Sequence, residues 1–121
     1  LKKSLRYVAI LAATTFAVGV TMAPAATAAT KPVKACLALD TGGVDDKSFN
    51  ASAWAGAQSA ATKTTTVKYL AAQSDADYAP NIKKLVDDKC TIIVGVGFLI
   101  NGAIVAAAKA NPGTKFAIVD Q

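Results

Sequence analysis

The sequence predicts an α/β fold in which a parallel sheet carries helices on both faces. Short apolar, β-branched runs alternate with longer alanine-rich or amphipathic segments, and the connections between them are short. Strands joined through helices run parallel, and right-handed crossovers place those helices over the sheet.

The first strand is expected at Val33 to Asp40 (VKACLALD), a continuous apolar run bounded by Gly42 and Gly43 and suited to burial on both faces. Ser48 to Thr62 reads as the first helix. Phe49, Ala53, Trp54, Ala57, Ala60 and Ala61 mark one side of it, and Ser48 or Asn50 can cap its start. Thr65 to Ala71 (TTVKYLA) is β-branched and aromatic and gives strand two, followed by a polar turn at Gln73 to Asp75. Asp77 then caps a helix from Tyr78 to about Lys89, with Pro80 in its first turn and Ile82, Leu85 and Val86 at helical spacing. Thr91 to Phe98 (TIIVGVGF) is the third strand and Asn101 to Ala110 a short helix ended by Asn111-Pro112-Gly113. Lys115 to Asp120 (KFAIVD) is the fourth strand.

A segment of different character precedes these elements. Lys2, Lys3 and Arg6 are followed by an apolar run from Tyr7 to Val20 and then by small residues, the pattern of a secretory signal peptide at residues 1–28. The run is shorter than the roughly 20 residues of a membrane-spanning helix. Ala26-Thr27-Ala28 is the preferred cleavage site and Ala23-Pro24-Ala25 the second. Neither junction carries a cysteine for lipid attachment. Residues 29–33 form a linker and residues 34–121 the domain proper, delivered outside the cytoplasm, whether extracellular, on the cell surface or periplasmic. The chain opens on Leu1, as with an alternative start codon or a trimmed amino terminus.

Beyond that segment ten lysines face eight aspartates, so the net charge falls from +5 to +2. The lysines are scattered along the chain without interleaved aromatic residues, which argues against a nucleic-acid partner. With no histidine anywhere, a histidine-based triad or a typical zinc site is excluded within this chain. Asp45, Asp46, Asp75, Asp77, Asp87 and Asp88 read as caps and solvated surface, with no nucleophile–base pair or metal spacing beside them. No catalytic residue, metal or cofactor is expected. Trp54 reads as helix-face packing, and Gly95-Val96-Gly97 as a place where strand three approaches a ligand or a helix closely. Cys36 and Cys90 fall at the starts of strands one and three. Strands about 4.8 Å apart allow a bridge between them if the residues are in register, and two buried free thiols are the equal alternative.

Open parallel sheets bind ligands beyond the carboxyl ends of their strands, where strand order reverses. For the order 2-1-3-4 that point lies between strands one and three, beside the loops Asp40 to Ser48 and Gly97 to Asn101, with Asp120 at the end of the neighbouring strand four. The segment DTGGVDDKSFN, residues 40–50, holds the most chemistry. Asp40 can accept hydrogen bonds from sugar hydroxyls or a base edge, Phe49 offers a face for stacking, and Asn50 both donates and accepts. The same residues also suit plainer roles, with Asp40 closing a turn, Phe49 in the core and Asn50 capping a helix.

DTGGVDDKSFNASAWAGAQ, DYAPNIKKLVDDKCTIIVGVGF and KFAIVD, in that order, resemble the amino-terminal lobe of the basic membrane protein (BMP) family of solute-binding proteins, which includes purine-nucleoside receptors. The resemblance spans about Lys34 to Gln121. It implies a type I periplasmic-binding-protein-like lobe, truncated before the second lobe, that captures a nucleoside and passes it to an ABC transporter permease. Membrane contact would come only through the transporter, and the protein would not be an enzyme. The motif match places ligand contacts at Asp40, Phe49, Asn50 and Asp120. The alternatives are an exported α/β hydrolase or nucleotide-using enzyme with catalytic residues beyond Gln121, and a gene fragment with no function of its own.

Overall fold

Four parallel strands, β1 (Val33–Leu39), β2 (Thr65–Ala71), β3 (Ile92–Val96) and β4 (Lys115–Val119), form one sheet of order β2-β1-β3-β4. The computed structural model describes residues 30–121, so the expected signal peptide and its cleavage site lie outside the described residues. Strand order and direction are those expected from the alternation of elements. β1 begins at Val33, the last residue of the expected linker.

The central strands explain the continuous apolar runs. From β1, Cys36 and Ala38 enter a core shared with helices α2 (Tyr78–Asp87) and α3 (Asn101–Ala110), while Leu37 and Leu39 enter a second core beneath α1 (Phe49–Ser59). A strand buried on both faces has no polar side to show. Ile93 of β3 joins the first core and Val94 and Val96 the second. On α2, Tyr78, Ile82 and Leu85 are buried one helical turn apart. On the edge strand β4, Phe116 and Ile118 pack towards α3, whereas Lys115, Ala117 and Val119 lie on the α1 side and are exposed.

Three helix ends differ from expectation. α1 stops at Ser59 rather than Thr62, with Ala60 as its C-cap. Asp77 does not cap α2 with its side chain. A turn of 3₁₀ helix over Asp75–Asp77 extends the helix upstream, and the Asp77 carboxylate reaches back to accept the N–H groups of Gln73 at 2.9 Å and Ser74 at 3.0 Å. Those donors, led by Gln73, hold its carboxyl below the ordinary carboxylate value. At the other end α2 stops at Asp87 rather than Lys89. Lys89 adopts a left-handed φ of 59°, its N–H bonds Val86 O, and Cys90 N bonds Leu85 O, the paired bonds of a Schellman turn.

That turn delivers Cys90 to the core, where it is bonded to Cys36 with the Cα atoms 6.0 Å apart. The glycines of β3 also have identifiable work. A Cβ on Gly95 would lie 2.4 Å from Ile104 Cγ1, so its absence lets α3 settle on the sheet. Gly97, at φ 104°, ends the strand at Val96, two residues short of the predicted Phe98, which instead opens a 3₁₀ turn over Phe98–Ile100.

Candidate functional site at the carboxyl edge

The site is built where β1 and β3 end side by side. Asp40 follows β1 and its N–H still pairs with Val96 O at 3.1 Å, so its backbone is held in the sheet. Its carboxylate Oδ1 accepts the N–H of Gly42 at 3.3 Å and the Asn50 Nδ2 amide at 2.9 Å. Oδ2 accepts no hydrogen bond among the described residues and lies against Gly97, where a Cβ would stand 1.8 Å away from it. A side chain at position 97 and a carboxylate in this position are mutually exclusive.

Asn50 was open to reading as a helix cap. It is instead fully buried on the inner side of α1 and directs its amide at Asp40. Ser48 makes no side-chain cap either. The cap is Asp46, whose two oxygens between them accept the N–H groups of Ser48 (2.9 Å), Asn50 (3.1 Å) and Ala51 (2.9 Å). One carboxylate thus meets three of the donors that a helix start leaves unpaired. The Ala51 N–H contributes most to holding the Asp46 carboxyl below its ordinary value.

Phe49 adjoins Asn50 but lies outside both cores and is 52% exposed. The packed side of α1 is Ala53, Trp54 and Ala57, where Trp54 meets Tyr69 edge to face at 4.8 Å between ring centroids. Trp54 is therefore a packing residue. Beyond Gly97, Phe98 and Leu99 are 65% and 59% exposed. These two were not singled out from the sequence, which runs strand three through Phe98 and shows no end at Gly97. Two exposed phenylalanines thus follow the two strands that flank the reversal of strand order, with the Asp40 carboxylate at the end of one of them.

The structure brings Asp40 and Asn50 into direct contact and sets Phe49 at the start of the helix that holds Asn50. Asp120 stands apart from that contact. It follows β4 on the same edge, exposed, with a left-handed φ of 68°.

Two buried oxygens in this region have no partner among the described residues, Asn50 Oδ1 and the Tyr78 hydroxyl. Tyr78 is 5% exposed, and its burial pushes the phenol above its ordinary value. Contact with Thr41 opposes that rise, and the carboxylates of Asp75 and Asp40 add to it. A groove of about 670 Å³ lies elsewhere, between α2 and α3, and is lined by Pro80, Val86, Ala103 and Ala107 among others. None of Asp40, Phe49, Asn50 and Asp120 lines it.

A family model described as "ABC transporter substrate-binding protein PnrA-like" matches residues 33–121. The chain is 39% identical over 93 residues to the "ABC transporter nucleoside-binding protein BmpA" of Lactococcus lactis, covering 73% of this chain and 26% of that protein. It is 38% identical over 96 residues to a "CD4+ T-cell-stimulating antigen" of Listeria monocytogenes, covering 74% of this chain and 27% of the relative. Its fold matches a crystal structure of ABC transporter solute-binding proteins from Aeropyrum pernix K1 with a TM-score of 0.66 and 30% identity, over 74% of this chain and 25% of that one. The chain thus spans about a quarter of the length of these relatives.

Proposed function

This chain belongs to the PnrA-like family of ABC transporter substrate-binding proteins, and we propose that it serves extracytoplasmic capture of a nucleoside for hand-over to a transporter permease. The observation that carries this reading is the division of labour between adjacent residues 49 and 50. Stability alone would draw the phenylalanine inwards and leave the asparagine in water. Here Phe49 is exposed and Asn50 is buried as a support for Asp40. The name of the Lactococcus relative supports the ligand class.

In this reading Phe49 stacks on the flat base, a contact worth about 0.5–1.5 kcal/mol beyond burial. Asp40 is oriented through Oδ1 by Gly42 and Asn50 and keeps Oδ2 for a base N–H or a sugar hydroxyl. Asp120 supplies a second carboxylate from the end of β4. Nothing in this arrangement alters the ligand; it binds and releases it.

Calorimetric titration of the intact protein with inosine, guanosine and adenosine tests the proposal. Phe49→Ala and Asp40→Ala are each expected to weaken binding by about 1–3 kcal/mol, roughly 5- to 150-fold. Unchanged affinity in both variants would remove these residues from the site. Absence of binding by all three nucleosides would overturn the ligand class.

A further inference from the structure

The lysines that look scattered in the sequence are gathered by the topology. In a parallel sheet every strand starts at the same edge, and each strand start here has a lysine at or just before it. Lys31 and Lys34 stand at β1, Lys63 before β2, Lys89 before β3 and Lys115 at β4, while Lys109 lies in the last turn of α3, which returns to that edge. Backbone bonds from Val33 to Thr64, Thr91 to Lys34 and Lys115 to Thr91 tie these starts into one row. The two carboxylates at this edge, Asp87 and Asp88, are already paired with Lys83 and Lys68. Among the described residues none of the six lysines named has a carboxylate partner; Lys34 bonds the Asp88 carbonyl instead.

The opposite edge has the other sign. Asp40, Asp45, Asp46, Asp75, Asp77 and Asp120 lie at strand ends or helix starts there, with Lys47 as the cation among them. Complementing helix dipoles accounts for Lys109 and for Asp46, but not for lysines at strand starts.

We propose that the amino edge of the sheet is a basic face that docks on an anionic phospholipid surface, with the carboxyl edge turned away from it. The row spans four strands about 4.8 Å apart, an extended array that suits a plane of charge better than a single small anion. It has no arginine among the described residues and no exposed aromatic residue at its strand starts, so it lacks the forks and stacking faces that nucleic-acid grooves use. This contact does not depend on which ligand the carboxyl edge takes, and it would supplement contact made through a transporter.

The test is flotation of the mature protein, freed of the cationic and apolar residues 1–28, with vesicles of phosphatidylcholine alone or with about one-third phosphatidylglycerol. Preference for the anionic vesicles is expected, declining as salt rises and the charges are screened. Lys31→Gln, Lys63→Gln, Lys89→Gln and Lys115→Gln combined should reduce that binding on the order of a hundredfold or more, at roughly fivefold per lysine. Lys47→Gln, on the acidic edge, should leave it unchanged, and an unaltered unfolding midpoint establishes that the combined variant is folded. Equal binding to neutral vesicles, retention of binding by the combined variant, or complete competition by duplex DNA at a charge concentration far below that of the lipid would each overturn the proposal. If the combined variant unfolds, the same four positions are tested singly, and four variants without effect overturn it equally.

Discussion

Gly97→Ala is the substitution in which the structure sets the largest effect on the smallest change. The added methyl would lie 1.8 Å from Asp40 Oδ2, 2.4 Å from its Cγ and 2.9 Å from its Cβ, in a residue whose φ is 104°. The backbone conformation alone costs about 1–3 kcal/mol for a residue with a Cβ. Displacing the carboxylate also breaks its bond to the buried Asn50 amide, which adds about 1–3 kcal/mol for a polar group left without a partner. The expected loss of about 2–6 kcal/mol compares with a total stability of order 5–10 kcal/mol for a domain of this size. Urea unfolding followed by circular dichroism measures it. Gly102→Ala on α3, where the added Cβ meets nothing within 4 Å, serves as the control and should gain about 0.5–1 kcal/mol. In an Asp40→Ala background Gly97→Ala should cost less, because the two closest contacts are gone while the backbone strain remains. A Gly97→Ala chain within about 0.5 kcal/mol of wild type, or full additivity with Asp40→Ala, would show that the two residues do not share this space.

The Cys36–Cys90 bond closes a loop across a sequence separation of 54 residues, for which chain entropy alone gives about 4 kcal/mol. Cys36→Ala with Cys90→Ala should therefore lower unfolding stability by about 2–4 kcal/mol, and two titratable thiols in the wild-type chain denatured without reductant would show that the bond is not formed in solution. For Asp46, the depressed folded pKa means that its contribution is complete above the unfolded value near pH 4 and is lost as pH falls through the lower folded value. Asp46→Asn, which resembles the protonated acid, should therefore be less stable than wild type at pH 7 and converge with it towards pH 2. A difference that stays constant between those limits would remove Asp46 as the charged cap of α1.

Most of the fold was legible because β1 and β3 are buried on both faces, so their apolar runs could hardly be anything but central strands. Ends were harder to read, since they depend on partners distant in sequence. Whether Asp46, Ser48 or Asn50 caps α1 is decided by the demand of Asp40 for the Asn50 amide, and an amino-acid string does not display that demand. Phe49 was visible as a candidate, but the sequence placed it on the same side as Ala53 and Trp54. Only the packing of α1 separates them. Phe98 passed unnoticed for the opposite reason, because an apolar residue after TIIVGVG reads as more of the same strand until Gly97 takes a positive φ. The lysine row needed the topology, since residues from 31 to 115 become neighbours only when all four strands point one way.

Trp54 is the chain's single tryptophan, seated on Tyr69 one helical turn beyond Asn50. Its indole emission is therefore a native optical reporter on α1, the helix that carries both the aromatic face and the carboxylate's support. A rigid-body shift of α1 when the carboxyl edge is occupied would alter the quenching by the tyrosine edge and the local polarity, and so would move emission intensity and wavelength together. A ligand that binds without disturbing the helix would leave the spectrum still. Occupancy and helix displacement could thus be followed separately in an unlabelled protein, the first by heat and the second by light.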